Sequence, residues 1–416
     1  MAESMPALPR EQSRRSRPLW REVGVWQLLT VTALGFTSFF LTLGSVPLWA
    51  VRGGASDASA GSVTAVMLGF TVVIQTMVPA LQRRVGSATL LALGLLALGA
   101  PAPFYLLGDH LPGLIAVSAI RGVGFGLLTV VAARLVSQVA PSNRQGKAVG
   151  LYGLAIAVPN LLAVPAGAAL TSSNHFFWVA VLAACPVLAI PLVRVFRGSD
   201  STAVSSGESG KASPQTSRAP ARHGVAGAVR VAIVPSVVLL VVTLSGGGLV
   251  TFLPIALSDG QLASITLLVF GITGTLGRWQ AGMINDRIGM RLLLPAALVA
   301  SALGLAAVAA ALPGSGDGNA GTIWTVAMLA GAAIFGAGYG ATQNLTQIAV
   351  FARAGERHAV TASAVWNIFF DAGTAIGSYG VGLVAATGLH LTGTFVVCAV
   401  LVAAAVPAAI AAGTRG

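Results

Sequence analysis

Stretches of twenty or more residues with scarcely a charge recur along the whole chain, and no other feature narrows its possible folds so far. Residues 88–107 contain no Asp, Glu, Lys or Arg, and neither do residues 231–257. A helix rises about 1.5 Å per residue, so about 20 residues cross the ~30 Å hydrocarbon layer of a bilayer. Within that layer no water satisfies backbone N–H and C=O groups, so a spanning segment is either a helix or a strand of a closed barrel. Runs this long and uniformly apolar do not fit the short alternating strands of a barrel. Only 9% of the 416 residues are charged, against about a quarter in a soluble domain. So few could not cover an aqueous surface.

Twelve spans are expected, at roughly 26–50, 62–82, 88–107, 113–138, 148–170, 176–196, 231–257, 261–284, 291–312, 323–350, 359–386 and 389–411. An even number places both termini on one side. The basic stretch before Trp26 resembles the start of a signal peptide, but eleven more spans follow, so the first is expected to be retained.

The net charge of +12 raises nucleic acid as a partner, and its distribution argues against it. Of the 24 Lys and Arg, Arg52 falls in the first loop and Arg121 inside the fourth span. The other 22 lie in the termini or near the even-to-odd connections, as do Arg83, Arg84, Arg144, Lys147, Arg287, Arg291, Arg353 and Arg357. The opposite loops carry Asp57, Asp109, Asp259 and Asp317. Basic residues accumulate in cytoplasmic loops, so both termini are expected in the cytoplasm of a plasma-membrane protein. Anionic lipid suits this face better than nucleic acid.

Cys185 and Cys398 fall in two separate spans, and the five histidines are scattered among predicted loops. No disulfide framework, metal cage or hydrolytic triad assembles from them. There is no Walker loop, and Gly336-Ala-Gly-Tyr-Gly340 sits within a span rather than in a dinucleotide-binding turn. The reading is of a non-enzyme without cofactor or metal.

Residues 197–230, rich in Ser, Gly, Ala and Pro, read as a flexible cytoplasmic linker. The linker divides the chain into an N-terminal tail (1–25), a six-helix bundle (26–196), a second bundle (231–411) and a short C-terminus (412–416). The halves repeat: Ala119-Ile-Arg-Gly-Val-Gly-Phe-Gly126 aligns with Ala333-Ile-Phe-Gly-Ala-Gly-Tyr-Gly340, and Pro79–Gly86 takes the place of Gly282–Gly289. Parallel six-span repeats around a midplane site are a common plan for secondary transporters.

The stretch Gly282–Arg291, "GMINDRIGMR", concentrates charge between the eighth and ninth spans. Asp286 is suited to accept from the free N–H groups of a nearby helix N-terminus, and so to latch one bundle against the other. Gly289 permits a tight turn, while Arg287 and Arg291 hold the loop inside.

Gly282-x-x-x-Asp286-Arg287-x-Gly289-x-Arg291, with Arg278 one turn upstream, resembles the signature loop of the major facilitator superfamily. Arg121 followed by Gly-x-Gly-x-Gly, Phe252-Leu253-Pro254, and Asn367-x-x-x-Asp371-x-Gly373-x-x-x-Gly377 are similar to motifs of its bacterial drug and metabolite exporters. The resemblance implies twelve transmembrane helices in two pseudo-symmetric bundles that rock about a central site. Two departures stand out. Arg83 replaces the signature acid in the first-half loop, and the fifth span carries Pro159-Asn160 and Val164-Pro165-Ala166-Gly167 instead of the antiporters' Gly-Pro pairing.

Arg121 and Asp371 are charges deep inside spans, where cost confines them to cavities or partners. Poor solvation disfavours a carboxylate, so Asp371, with Asn367 one turn away, is a candidate for binding and releasing a coupling proton; a purely structural hydrogen-bonding role is the alternative. Arg121 keeps its charge and is a candidate for attracting an anionic group in the cavity, or else snorkels toward the surface. Thr42, Gln75, Thr251, Tyr339, Gln343, Asn344 and Gln347 complete the expected substrate cavity, which suits a moderately apolar solute better than a sugar.

The expected function is therefore proton-coupled efflux of a small drug or metabolite by a monomer in the plasma membrane. The alternatives are import of a small organic anion, by proton symport or facilitated diffusion, and a non-transporting receptor on a carrier fold.

Overall fold

The computed structural model describes residues 24–139, 144–197, 225–315, 321–354 and 359–413. The tail before Gly24, linker residues 198–224, Asp317, Arg357 and residues 414–416 lie outside these. Every regular element among the described residues is helical.

Eleven segments are long and apolar enough to cross a membrane. The last, Thr361–Ala411, runs to 51 residues, more than twice what a bilayer requires. It breaks at a π-turn, Ala385–Leu389, where Gly388 and then His390 take positive φ (92° and 51°). The helices on either side, Ala359–Val384 and His390–Ala404, are the eleventh and twelfth crossings. The fold is thus all-α with twelve transmembrane helices. Its outer surface carries large apolar side chains such as Leu107, Leu188, Leu292 and Ile323, as a lipid-facing surface must.

Some boundaries differ from expectation. The seventh-span helix begins at Val225, so residues 225–230 are helical rather than linker. This stretch contains no proline, so nothing interrupts the helical hydrogen-bond ladder before the apolar span. The third and sixth spans finish in tighter 3-10 turns, Ala102–Leu107 and Cys185–Phe196, beside Pro101, Pro186 and Pro191. Each proline removes a backbone N–H from the regular ladder. Arg52, the stray cation of the first loop, caps the end of the fifth span. Its Nη1 donates to Thr171 O and to Asn174 Oδ1 (2.7 Å), and Nη2 to Ser172 O (2.9 Å), satisfying carbonyls that a helix end leaves free.

The repeat is visible at the backbone. Gly86 and Gly289 close the second and eighth spans with nearly identical dihedrals (φ 84°, ψ 155° and φ 80°, ψ 153°), each N–H returning to the carbonyl four residues back. Within the fourth span, Gly122 and Gly126 meet second-span backbone at Met67 and Thr71, while Gly124 meets the third span at Gly94 and Leu98. The tenth span repeats this with Gly336 and Gly340 against Phe270 and Gly274, and Gly338 against Ala297 and Ser301. A three-glycine ladder lets one helix press backbone to backbone on two neighbours at once, where lipid offers no hydrophobic drive to hold helices together.

The halves meet along the second and eleventh spans and the fifth and eighth. Take the end carrying Asp57, Asp109 and Asp259 as the acidic face, and the end carrying Arg83, Arg144 and Arg287 as the basic face. Close contacts between the halves gather toward the acidic face: Gly61 on Ser378 O, Gly382 on Ala58, Gly44 on Val250 O and Gly260 on Ser172.

A Cβ at Gly340 would strike the Gly274 carbonyl, whereas one at Gly69 meets nothing within 4 Å. Gly340→Ala is therefore expected to lower stability by about 1–3 kcal/mol through overpacking, and Gly69→Ala to change it by less than about 0.5 kcal/mol. Thermal unfolding of the purified protein in detergent measures both; equal shifts would remove the glycine ladder as a packing device.

Candidate functional site

Gln75 projects from the second span toward the eleventh, and its Nε2 donates to Asp371 Oδ2 at 2.8 Å. The bond joins residues 296 apart in sequence and ties one half of the molecule to the other. Both side chains are only 8% exposed. Gln75 Nε2 also reaches Thr129 Oγ1 of the fourth span at 3.3 Å, while its Oε1 is buried with no partner. Asp371 forms no ion pair among the described residues. A buried carboxyl without a cation is costly as an anion, and this one has a single amide donor to offset that cost.

The second half carries a counterpart. Gln75 stands 11 residues before Gly86, and Arg278 stands 11 before Gly289; Thr129 follows Gly126 by three residues, and Gln343 follows Gly340 by three. Gln75 on Thr129 is therefore mirrored by Arg278 Nη1 on Gln343 Oε1, at 3.2 Å. Arg278 Nη2 adds Gln347 Oε1 at 3.3 Å. Tyr339 lies within electrostatic reach of both Arg278 and Asp371. Its ring packs against Phe270 and Phe335, with centroids 5.2 and 5.8 Å away. Five of the expected cavity and coupling residues (Gln75, Asp371, Tyr339, Gln343 and Gln347) thus come together, with Arg278 among them. Arg278, one turn upstream of the signature loop, sits ten residues inside the helix that ends at Ile288, facing the tenth span.

Arg121 departs from expectation. It is 0% exposed and touches no solvent-sized space, so it lines no cavity in this structure and does not snorkel. Its Nη2 donates to Ser38 O and Ser38 Oγ, both at 3.0 Å, and the guanidinium lies 5.3 Å from the Tyr105 ring centroid. Nε and Nη1 have no partner, and no carboxylate pairs with it among the described residues. The 3-10 turn at Ala102–Leu107 carries Tyr105 inward onto Ser118 Oγ (2.7 Å), closing the pocket.

Other expected residues are also placed elsewhere. Asn367 is exposed and bonds back to Ser363 O (2.8 Å), so it does not meet Asp371. Thr42 is buried and donates within its own helix, to Ser38 O and Phe39 O. Thr251 is sealed against Ser378 Oγ (3.0 Å) near the acidic face. Asn344 has a buried, unpartnered Oδ1 beside Gly282. Asp286 is exposed and has no hydrogen bond among the described residues, so no latch to a described helix N-terminus is made in this arrangement. Arg287 is likewise exposed, and Gly289 forms the expected turn before Arg291. No cluster of metal-binding side chains occurs among the described residues.

Twelve spans, a backbone-level repeat and a midplane contact between the halves accord with the comparisons to known proteins. The Major Facilitator Superfamily model matches residues 28–378. The chain belongs to that superfamily. It is a non-enzymatic membrane carrier for a small molecule. A short stretch of 66 residues is 36% identical to the uncharacterized MFS-type transporter Rv1250 of Mycobacterium tuberculosis, covering 16% of this chain and 11% of that one. Among solved structures, the nucleoside transporter NupG matches with a TM-score of 0.70 at 15% identity, over 94% of this chain and all of that one. A bacterial homolog of the human lysosomal transporter Spinster, inward-facing and unoccupied, matches with a TM-score of 0.63 at 16% identity, over 94% and 96% of the two chains. At such identities the likeness is one of fold.

Because Arg121 is held by neutral groups only, replacing it with an apolar side chain of similar length removes a buried charge without orphaning a partner ion. Arg121→Met is expected to leave stability unchanged or raise it by about 1–4 kcal/mol. Ser38→Ala strips the guanidinium of a side-chain acceptor and should cost about 1–3 kcal/mol. Thermal unfolding ranks the two, and the opposite order would show that Arg121 has an anionic partner.

Proposed function

We propose that this carrier exports a small, partly apolar organic compound, such as an antibiotic or metabolite, across the plasma membrane in exchange for protons, with the basic face in the cytoplasm. The observation that carries the reading is the Gln75–Asp371 bond. It sets an ionisable carboxyl at mid-depth, on the seam between two bundles that must part and rejoin. A change of charge at that place alters how the bundles hold together, which is what coupling requires. Few charges, with the amides of Gln75 and Gln343 and the rings of Tyr339 and Phe270 in the same region, suit a partly apolar cargo. The resemblance of the eleventh-span motif to exporters supplies the direction.

In the proposed cycle the contacts at Gly61, Gly382 and Gly260 open as the basic ends close. Asp286, exposed here, then latches the basic side in the alternate arrangement. Asp286→Asn is expected to slow interconversion several-fold with little change in cargo affinity, measured by exchange kinetics in proteoliposomes; an unaltered rate would reduce the loop to a topological marker.

Asp371→Asn is expected to abolish uphill movement in energised everted vesicles while leaving cargo binding and exchange measurable. Concentrative transport at the normal rate would refute Asp371 as the proton site. A second reading, uptake of an organic anion, draws on Arg278, whose guanidinium is met by two neutral amide oxygens and by no carboxylate among the described residues. Cargo accumulation from the cytoplasmic face that collapses with an uncoupler supports export; accumulation that survives the uncoupler excludes proton-driven export.

A further inference from the structure

Gln75 Oε1 is the unusual atom of the site. It is an amide oxygen, fully buried, without a donor, on a side chain whose other end is bonded to a carboxyl group. An unmet buried acceptor costs about 1–3 kcal/mol, so its persistence calls for a donor that the described heavy atoms do not reveal. Asp371 Oδ1 has no hydrogen-bond partner among the described residues. A primary amide and a protonated carboxyl are complementary: the amide N–H meets the acid carbonyl, and the acid O–H meets the amide carbonyl. The first of these bonds is present at 2.8 Å. A proton on Oδ1 would supply the second.

We propose that Gln75 is a positioning residue that reads the protonation state of Asp371 across the bundle seam. With the proton bound, amide and acid form a two-bond pair that fastens the second span to the eleventh. Without it, one bond remains, and two electron-rich oxygens confront each other in a poorly solvated place. The step moves a single proton between water and Oδ1; only an O–H bond forms and breaks, and no electrons are exchanged. The arrangement closed at the acidic face is therefore the one that holds the proton, and release toward the basic face loosens the seam for the opposite swing. This deepens the proposed proton coupling and rests on it.

The surroundings leave Gln75 as the direct reader. From the tenth span Tyr339 lies within electrostatic reach of Asp371 and of Arg278 of the eighth span. The fourth span contributes the neutral Thr129 hydroxyl, and its Arg134 is engaged with Gln82 (2.7 Å). The seventh span meets the eleventh here through Thr243 at Gly373 and carries its only arginine, Arg230, at its basic end. The basic residues of the second span, Arg83 and Arg84, lie in its last turn. In the twelfth span Cys398 interacts with Ser245, and His390 lies at the start of the helix.

Infrared difference spectra of the full chain in lipid vesicles, acid minus alkaline buffer, test the pair. Wild type should show the carbonyl stretch of a protonated, hydrogen-bonded carboxyl, and Asp371→Asn should lose it. In Gln75→Leu the band should persist and move to higher wavenumber, because the acid has lost its amide partner. Gln75→Glu keeps the shape of the side chain and tests the same point should the leucine variant not fold; its own carboxyl completes the pair, so proton uptake between the two buffers should rise by about one per chain. A band lost in Asp371→Asn and unmoved in Gln75→Leu overturns the role of Gln75 and leaves the proton site standing, as does unchanged proton uptake in Gln75→Glu. An Asp371→Asn spectrum identical to wild type overturns the proton site itself.

Discussion

In hydrocarbon a polar atom has nowhere to turn except to another part of the protein, and that single restriction shapes this molecule from backbone to site. It makes every crossing a helix. It also directs the hydroxyl groups: Thr42, Thr71, Ser301 and Thr346 each donate to a carbonyl one turn back in their own helix. Thr71 adds the Gly122 carbonyl of the fourth span (3.0 Å), a bond available only because that glycine brings two backbones together. Close packing and polar satisfaction are here the same device.

Duplication supplies a frame on which small differences become informative. Gln75 with Thr129 and Arg278 with Gln343 occupy matching places in the two halves. The partner across the seam is what differs: the mate of Asp371 in the first half is Ala157. One seam therefore holds a carboxyl and an amide. At the related place the second half has a permanent cation with no acid opposite, and it turns to amides of its own bundle. A carrier with two identical seams would have no reason to answer a proton at one of them.

Much of the architecture was legible in the sequence because it follows from composition along one dimension. Apolar length gave the spans, and the coincidence of glycines gave the repeat. Positive charge gave the two faces. What failed was rotation. In helices that are apolar all round, no periodicity reveals which way a lone polar residue points. Arg121 was read toward the cavity and turns inward to Ser38 and Tyr105. Asn367 and Asp371 do share a helix face, as their spacing implies, yet one is exposed and the other buried, because burial depends on a neighbouring span that spacing does not describe. Arg278 was absorbed into a loop motif by proximity in sequence, although ten residues of helix separate it from the turn. The Gln75–Asp371 bond spans 296 positions and leaves no local trace; only the fold brings its ends together.

The chemistry of the seam changes with depth, and the change has a direction. Near the acidic face the halves touch through glycine against carbonyl and through apolar side chains, contacts with no protonation state. At mid-depth the contact is an amide on a carboxyl. Toward the basic face Asn367 and Asp286 are exposed to the surroundings. A neutral backbone seal re-forms equally well at any pH, so it can close a pathway but cannot sense one. A charge-bearing loop in water is too well solvated for one proton to decide its contacts. Only the middle layer combines poor solvation with an ionisable group, and it lies where both bundles contribute one partner each. If a proton governs the swing of these halves, that layer is where its effect on the contact between them is largest.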